Sequence, residues 1–327
     1  IALLTNNLNE SKIHTYSIIS NEKKYSEEKF IDLFTSTTGI KNHKLSFISD
    51  NILTYLNEVL TYQDEPFVSF SIIAQYLIFK ELKEKSNIKV ILSGQGADEI
   101  LLGYLRYYFF YLALMQKEKK FVQLSREMVF MIINRTVIKQ LRLNTLGRYV
   151  NYNSQNKKFL IKKSTADSYW TDKSMRDIQI QDIDSFSIPI LTRYEDRNSM
   201  AHSLEVRLPF LDHRLVDLLV NLPVGFKLKK GWNKYILRKS MTGLPPAIRW
   251  RRDKKGFITP DEKWLKGELV EDVKNIFKKS FLAEMNLIDD KKFLEYYNSY
   301  LNGNRTIHNF DISRIYIAEK WLCKIYN

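Results

Sequence analysis

The stretch KVILSGQGADEILLGY, residues 89–104, combines residue types that suit the binding of a phosphate. Gly94 and Gly96 follow a short apolar run, and they would let the backbone turn tightly and approach a ligand closely. The predicted helix that follows offers free N–H groups to an anion. Asp98 and Glu99 stand in its first turn, either because the helix dipole favours acids there or because at least Asp98 binds a phosphate-bridging Mg²⁺. The loop alone leaves both interpretations open.

The elements that must position this loop alternate along the first third of the chain. Short runs rich in β-branched and aromatic residues predict strands at 13–19, 44–48 and 89–92. Helical patterns lie between them at 25–40, 52–60 and 70–85. The first of these helices has Ser26 as its expected N-cap and Gly39 as its stop. Strands separated by helices imply an α/β fold with a parallel sheet covered on both faces.

In such a sheet, the loop after residues 89–92 lies at the carboxyl edge, where open α/β sheets bind their ligands. From Ile100 onward, long periodic apolar segments predict a mostly helical portion. A polar stretch, 151–163, is expected to be an exposed or mobile connection, after which 182–189 restarts the ordered chain. The predicted portions are therefore 1–105, nucleotide-binding α/β, and 106–327, mainly helical.

Composition limits the class of protein and its partners. The chain has 327 residues, with 51 Lys and Arg against 37 Asp and Glu, and its formal net charge is +14. This excess favours anionic partners, but it is spread along the chain, as in a solvated lysine-rich surface. The single cysteine, Cys323, excludes an internal disulfide framework and fits a reducing cytoplasm. No apolar run is long enough to span a bilayer, so a cytoplasmic location without membrane contact is expected.

Four stretches, in this order along the chain, resemble the synthetase domain of glutamine-dependent asparagine synthetases. They are DEPFVSFS at 64–71, LSGQGADEILLGY at 92–104, RYEDRNSMAHSLEVRLPFLDHRLVDL at 193–218 and WRRDKKGFITPDEKWLKGEL at 250–269. The resemblance implies a parallel sheet of the adenine-nucleotide alpha-hydrolase type. It also implies that a small carboxylate substrate, aspartate or a relative, is adenylated by ATP with loss of pyrophosphate, and that ammonia then attacks the acyl-adenylate.

The resemblance also assigns roles to individual residues. Ser93 and Gly94 correspond to the pair that contacts the nucleotide, and Ile18 corresponds to the apolar strand residue beside the adenine. Asp98 stands where the family has a carboxylate on Mg²⁺, and Lys254 of the KKGF segment stands where a lysine stabilises charge at the reacting phosphate. A fixed ammonium and a metal ion would both lower the barrier to adenylation. Without the motif, Lys254 would be a residue of a solvated basic turn.

The block at 193–218 is interpreted as structural. Four of its charged residues are expected to pair in a buried ion network beneath the substrate pocket: Arg197, Glu205, Arg207 and Asp212. His202 and His213 have no metal-ligand spacing and are read as structural.

The sequence departs from the family in four places. Gln95 occupies a position at which asparagine synthetases usually carry a glutamate, and a neutral amide cannot act as a base. Leu102 replaces a common glycine. The pyrophosphate loop, Ser-Gly-Gly-x-Asp-Ser, is missing, and the opening IALLTNN looks like the helix that would follow it. The N-terminal glutaminase domain is missing as well, so we expect a C-terminal piece with one sheet strand lost upstream and little activity alone.

Two alternatives remain open. The nucleophile could be an amine within the substrate, as in β-lactam or lasso-peptide cyclases. The chain could also be a non-catalytic binding remnant or a basic nucleic-acid binder, although it has no motif of interleaved aromatic and basic residues that predicts nucleic-acid binding. A homodimer is neither indicated nor excluded.

Overall fold

The computed structural model describes residues 1–8, 13–19, 26–46, 51–136, 157–161, 173–252, 259–304 and 306–326. Up to residue 105 helices and strands alternate, as the apolar pattern predicts. These elements are α1 (Ala2–Leu8), β1 (His14–Ile19), α2 (Glu28–Thr38), β2 (Lys41–Ser46), α3 (Ile52–Tyr62), α4 (Ser71–Lys85), β3 (Val90–Leu92) and α5 (Ala97–Ile100).

Beyond residue 105 the described residues are mainly helical, which confirms the prediction for this portion. The helices are α6 (Leu105–Lys117), α7 (Phe121–Asn134), α8 (Met175–Gln181), α9 (Ile188–Met200), α10 (His213–Asn221), α11 (Val224–Lys227), α12 (Tyr235–Ser240), α13 (Pro246–Arg249), α14 (Asp261–Leu265), α15 (Val270–Ile276), α16 (Phe281–Glu284), α17 (Asp290–Leu301) and α18 (Asn309–Tyr326). No helix within the described ranges is both long and apolar enough to cross a membrane.

Three short elements complete the described chain. A π-helical segment, Asp182–Phe186, joins α8 to α9, and a 3₁₀ turn, Pro209–Leu211, precedes α10. The strand β4 (Glu205–Arg207) was not predicted, because three residues are too few to show an alternating pattern.

Local sequence explains where several elements begin and end. Gly39 ends α2 in the left-handed conformation, with φ of 69°, and its N–H donates to the Thr35 carbonyl oxygen. The predicted N-cap is displaced by one residue, since Ser26 Oγ accepts from the Glu28 N–H at 3.2 Å while Glu27 is the capping residue. Helix α8 begins with a capping box at Ser174, so helical structure resumes before the predicted restart at 182–189.

The strands form two parallel pairs. β1 pairs with β2 from His14 opposite Lys41 to Ile19 opposite Ser46, and β3 pairs with β4 along their three residues. The predicted parallel direction is confirmed. Within the described residues, however, the two pairs are separate two-stranded sheets rather than one.

Helix α4 packs against both strand pairs. Its residues Phe79 and Leu82 are buried in one cluster, against which Tyr16 of β1, Ile91 of β3 and Val206 of β4 pack. Full burial of an apolar side chain of this size stabilises the fold by about 1.5–3 kcal/mol. The C-terminal half of α4 therefore ties the two pairs together.

The largest core combines both portions of the chain. Leu56 of α3 and Phe70, which precedes α4, are fully buried together with Trp264, Phe293 and Tyr316 of the C-terminal helices. The predicted boundary at residue 105 stays a prediction, and this core extends across it.

Residues 157–161 are not the exposed connection that the polar composition predicted. Phe159 is 1% exposed and packs edge to face against Phe293, with ring centroids 5.3 Å apart. The prediction is wrong here because one aromatic side chain fixes the segment despite its polar neighbours. The other residues of that stretch lie outside the described part of the chain.

Candidate active site

The loop at residues 93–96 lies at the carboxyl end of the β3–β4 pair. The Ser93 N–H donates to the Arg207 carbonyl oxygen at 3.0 Å and so extends the strand ladder. Gly96 has a left-handed φ of 88°, and a Cβ on it would lie 2.3 Å from Leu211 Cδ2. Backbone and packing both require glycine at this position, which confirms the predicted tight turn.

Gly94 is a different case. It is exposed, its backbone is outside the left-handed region, and a Cβ on it would meet no atom of the described residues within 4 Å. Internal packing therefore does not account for this glycine. The open space beside it is where the predicted close approach of a ligand would take place.

The helix after the loop is shorter than the sequence predicted. α5 has only four residues, Ala97–Ile100, and Leu101 ends it. A macrodipole is the sum of aligned peptide dipoles, so one turn contributes little of it. The expected phosphate site here stays a prediction, and an anion would have to be held by side chains and loop N–H groups rather than by a helix dipole.

Asp98 forms an ion pair that the sequence did not reveal. Its Oδ1 lies 2.9 Å from Lys234 Nζ, and both side chains are about a quarter exposed, at 28% and 23%. Gly103 makes room for the pair, because a Cβ there would lie 1.9 Å from Asp98 Oδ1 and 2.3 Å from Lys234 Cε. Lys234 precedes α12, so the helical portion delivers a cation to the loop.

Glu99 has a structural role. It is 1% exposed, and its Oε1 accepts hydrogen bonds from Tyr104 Oη and Ser187 Oγ, both at 2.7 Å. These bonds tie α5 to the start of α9. Of the two adjacent acids, only Asp98 is accessible enough to serve a ligand.

Glu195 of α9 is the residue that the sequence analysis missed. It is 5% exposed, and burial raises the pKa of its carboxyl, an effect that the nearby Ser93 hydroxyl partly opposes. Its second oxygen, Oε2, has no hydrogen-bond partner among the described residues. The sequence contains only one indication of this role: Glu195 lies one helical turn before Asn198 and Ser199, which are buried on the same helix.

Gln95 and Ile18 are both of intermediate exposure. Gln95 is partly exposed, and its N–H donates to Ser93 Oγ at 3.4 Å. Ile18 is partly buried in β1, opposite Leu45 of β2. Whether they contact a nucleotide or a substrate stays a prediction.

Lys254, the predicted catalytic lysine, lies outside the described residues. Arg251, shortly before this undescribed segment, contacts the first part of the chain. Its Nη1 lies 2.6 Å from Glu27 Oε1, and its guanidinium lies 4.1 Å from the Phe30 ring centroid. The predicted role of Lys254 stays a prediction.

The buried ion network predicted for Arg197, Glu205, Arg207 and Asp212 is wrong. Arg197 pairs with Asp64, Glu205 with its strand neighbour Arg207, and Asp212 with Arg214, and each of these side chains is at least a third exposed. For Glu205–Arg207 and Asp212–Arg214 the reason is that a two-residue spacing favours local pairing at the surface, where such pairs are inexpensive to solvate. Arg197 instead meets Asp64 through tertiary packing.

The DEP segment, residues 64–66, is linked to α9, the helix that carries Glu195. Arg197 Nη2 lies 2.7 Å from Asp64 Oδ2, and Arg193 forms an ion pair with Glu65. These two pairs fix the loop between α3 and α4 against α9.

The structure bears on the structural reading of His202 but not on that of His213. His202 packs against Tyr76 with ring centroids 4.4 Å apart, and burial lowers its pKa, with a smaller contribution from nearby Lys80. This agrees with a structural reading. His213 is the first residue of α10, and its role stays a prediction.

The described residues contain no group of three or more His, Cys, Asp and Glu side chains that could hold a metal ion by themselves. Mg²⁺ is often bound instead through one or two carboxylates together with substrate phosphates. Asp98, accessible at the loop, fits that kind of site. A metal ion there would replace the Lys234 ammonium as its partner.

A loop at the carboxyl end of a parallel strand is the place where open sheets of α/β proteins bind their ligands. The family model for asparagine synthase matches residues 1–322. The chain belongs to the asparagine synthase family.

Relatives of known name support the same assignment. Asparagine synthetase [glutamine-hydrolyzing] 1 of Bacillus subtilis is 28% identical over 291 residues, 82% of this chain and 46% of that protein. Asparagine synthetase [glutamine-hydrolyzing] 3 of the same organism is 30% identical over 74% of this chain and 40% of its own length. The asparagine synthetase of Gallus gallus is 26% identical over 65% of this chain and 28% of its length. The chain thus spans less than half the length of these relatives.

Proposed function

We propose that this chain is the synthetase part of an enzyme that forms an amide at the expense of ATP. In the proposed reaction a carboxylate, aspartate or a relative, attacks the α-phosphate of ATP, pyrophosphate leaves, and ammonia displaces AMP from the acyl-adenylate. The observation that carries the proposal is the loop after β3: Gly94 has open space beside it, the accessible Asp98 follows it in the chain, and the buried Glu195 lies near Ser93, the first residue of the loop.

Each of these residues has a proposed role in the reaction. Ser93 and the loop at Gly94 would hold the nucleotide at the end of β3, and Ile18 of β1 would pack beside the adenine. Lys254 would stabilise the charge that builds on the phosphate during adenylation. Asp98 would hold Mg²⁺, which supplies charge neutralisation at the pyrophosphate leaving group when bound.

A further strand would complete the proposed sheet of the adenine-nucleotide alpha-hydrolase type. Each strand of the two pairs has one strand neighbour among the described residues, and α4 packs against both pairs. A parallel strand placed between β1 and β3, with a pyrophosphate-binding loop at its end, would join them. We propose that a longer polypeptide supplies this strand, together with a glutaminase domain that releases ammonia, as the names of the relatives suggest.

Exchange of radiolabelled pyrophosphate into ATP tests the proposal. The complete gene product, given Mg²⁺, ATP and aspartate or another amino acid, should catalyse exchange that depends on the carboxylate. The 327 residues alone should show less than about a hundredth of that rate, because oxyanion-type donors are worth factors of this size each. Brisk exchange by the 327 residues would refute the proposed dependence on a pyrophosphate-binding loop supplied by a longer polypeptide. No exchange by the complete product with any amino acid would favour a non-catalytic remnant.

One observation favours a second candidate, a cyclase whose nucleophile is an amine within the substrate. Gln95 cannot assist ammonia as a glutamate would. In that case amide formation would proceed without ammonium in the assay, whereas the leading proposal requires it.

A further inference from the structure

We propose that Glu195 accepts the proton that the attacking nitrogen loses. The loop itself offers no base at residue 95, because Gln95 is a neutral amide. The inference rests on the proposed amide-forming function and deepens it, because it names the residue that serves the second half of the reaction.

Burial and contact place Glu195 at the reaction site. The residue is 5% exposed, and its carboxylate lies near the hydroxyl of Ser93, the first residue of the loop at the end of β3. The ion pairs of Arg193 and Arg197 with the DEP segment hold α9 on either side of it. The side chain is therefore fixed beside the residues that would hold the acyl-adenylate.

Glu195 differs from the other carboxylates around the loop in having an oxygen to spare. Glu99 already accepts from two hydroxyl groups, and Asp98 is paired with Lys234. Asp64 and Glu65 are exposed and paired with arginines. Among the described residues, Glu195 is the carboxylate that has a buried oxygen without a hydrogen-bond partner. Such an oxygen is costly unless a ligand or a water molecule donates to it.

The chemistry balances without a further reactant. The nitrogen lone pair attacks the acyl carbon, a C–N bond forms, and the positively charged nitrogen transfers one proton to Glu195 Oε2. The C–O bond to the adenylate then breaks, and AMP leaves with the electron pair. Burial also makes this carboxyl a better proton acceptor, because it raises the pKa toward the operating pH. The proton leaves to solvent after the amide has dissociated.

The test compares the two half-reactions in the complete gene product, with ammonium chloride as nitrogen source and aspartate, or whichever amino acid gives the fastest exchange, as the carboxylate. Glu195→Gln should lower the rate of amide formation by about 100-fold or more, as loss of a general base does. Pyrophosphate exchange should stay within about threefold of the parent, because adenylation does not use this base.

Two variants serve as references. Glu195→Asp keeps the charge and should give an amide rate between those of the parent and Glu195→Gln. Glu319→Gln removes another buried carboxylate, one that accepts from the N–H groups of Phe281 and Leu282. It should lower the thermal midpoint and leave the ratio of amide formation to exchange unchanged.

Three results would overturn the inference. They are an equal fall of both half-reactions in Glu195→Gln with a raised KM for the amino acid, an unchanged amide rate, and a Glu195→Asp variant as slow as Glu195→Gln. Absence of exchange in the parent protein is a separate outcome, since it refutes the proposed function itself and the inference with it.

Discussion

At the scale of single residues, Asp261 is a carboxylate whose burial sets a pH dependence. It is 8% exposed at the start of α14, and burial raises the pKa of its carboxyl to about 6, against an opposing hydrogen bond from Thr259. Because the folded pKa exceeds the unfolded value, the folded protein binds more protons between about pH 4 and pH 6. Stability contributed by this group is therefore present below pH 4 and is lost as pH rises to 6.

We expect Asp261→Asn to raise the free energy of unfolding at pH 7 by about 1–3 kcal/mol and to flatten its fall between pH 4 and pH 6. Urea unfolding at several pH values measures both effects. Glu262→Gln is the matched control on the same helix, because its side chain is 63% exposed and pairs only with Lys266 among the described residues. A steeper slope in Asp261→Asn than in the parent would contradict the assignment.

At this scale, the features that the sequence predicts well are local features of the backbone. The turn at Gly96 followed from residue type, and Leu102, read as the replacement of a family glycine, proves to have a positive φ of 55°. Glu195 could not be predicted, because its importance comes from a contact with Ser93 across the fold. The predicted ion network failed because Glu205, Arg207 and Asp212 pair with neighbours two residues away, while Arg197 pairs across the fold with Asp64.

At the scale of elements, the two glycines of the loop after β3 have different reasons to be glycine. Gly96 is required by its own conformation and by Leu211, while Gly94 has open space beside it. A variant pair can therefore separate folding from ligand binding.

We expect Gly96→Ala to lower stability by about 1–3 kcal/mol, because it combines an unfavourable φ with a steric clash. Gly94→Ala should leave the thermal midpoint within about a degree of the parent and lower pyrophosphate exchange at least tenfold, since a methyl group would occupy the predicted nucleotide approach. Thermal melts and exchange rates of the complete product measure the two effects. Full exchange in Gly94→Ala would show that the nucleotide does not approach the loop there.

Element types were predictable from apolar period and glycine punctuation, as α2 with its Gly39 stop and α4 show. The lengths of the helices and strands were less predictable than their types. α5 ends after one turn because the chain must turn again at Leu102, and β4 owes its existence to pairing with β3 rather than to its own pattern.

At the scale of the whole molecule, the strands and the helical portion share cores rather than forming independent units. α3 and the residues just before α4 enter the same core as the C-terminal helices, and α4 also packs against both strand pairs. Sequence predicted parallel strands and a helical second part. It could not predict that the described strands form two separate pairs, because neighbours in a sheet are set by the whole topology.

The central claim is that the loop after β3 binds the reacting nucleotide and that Lys254 meets it there. A crystal structure of the complete gene product with Mg²⁺ and a non-hydrolysable ATP analogue tests this most directly. We expect the phosphates to lie within hydrogen-bond distance of Ser93 and the Gly94 N–H, the adenine to contact Ile18, and Lys254 Nζ to face the α-phosphate. A nucleotide bound elsewhere, or Lys254 pointing away from the loop into solvent, would contradict the account.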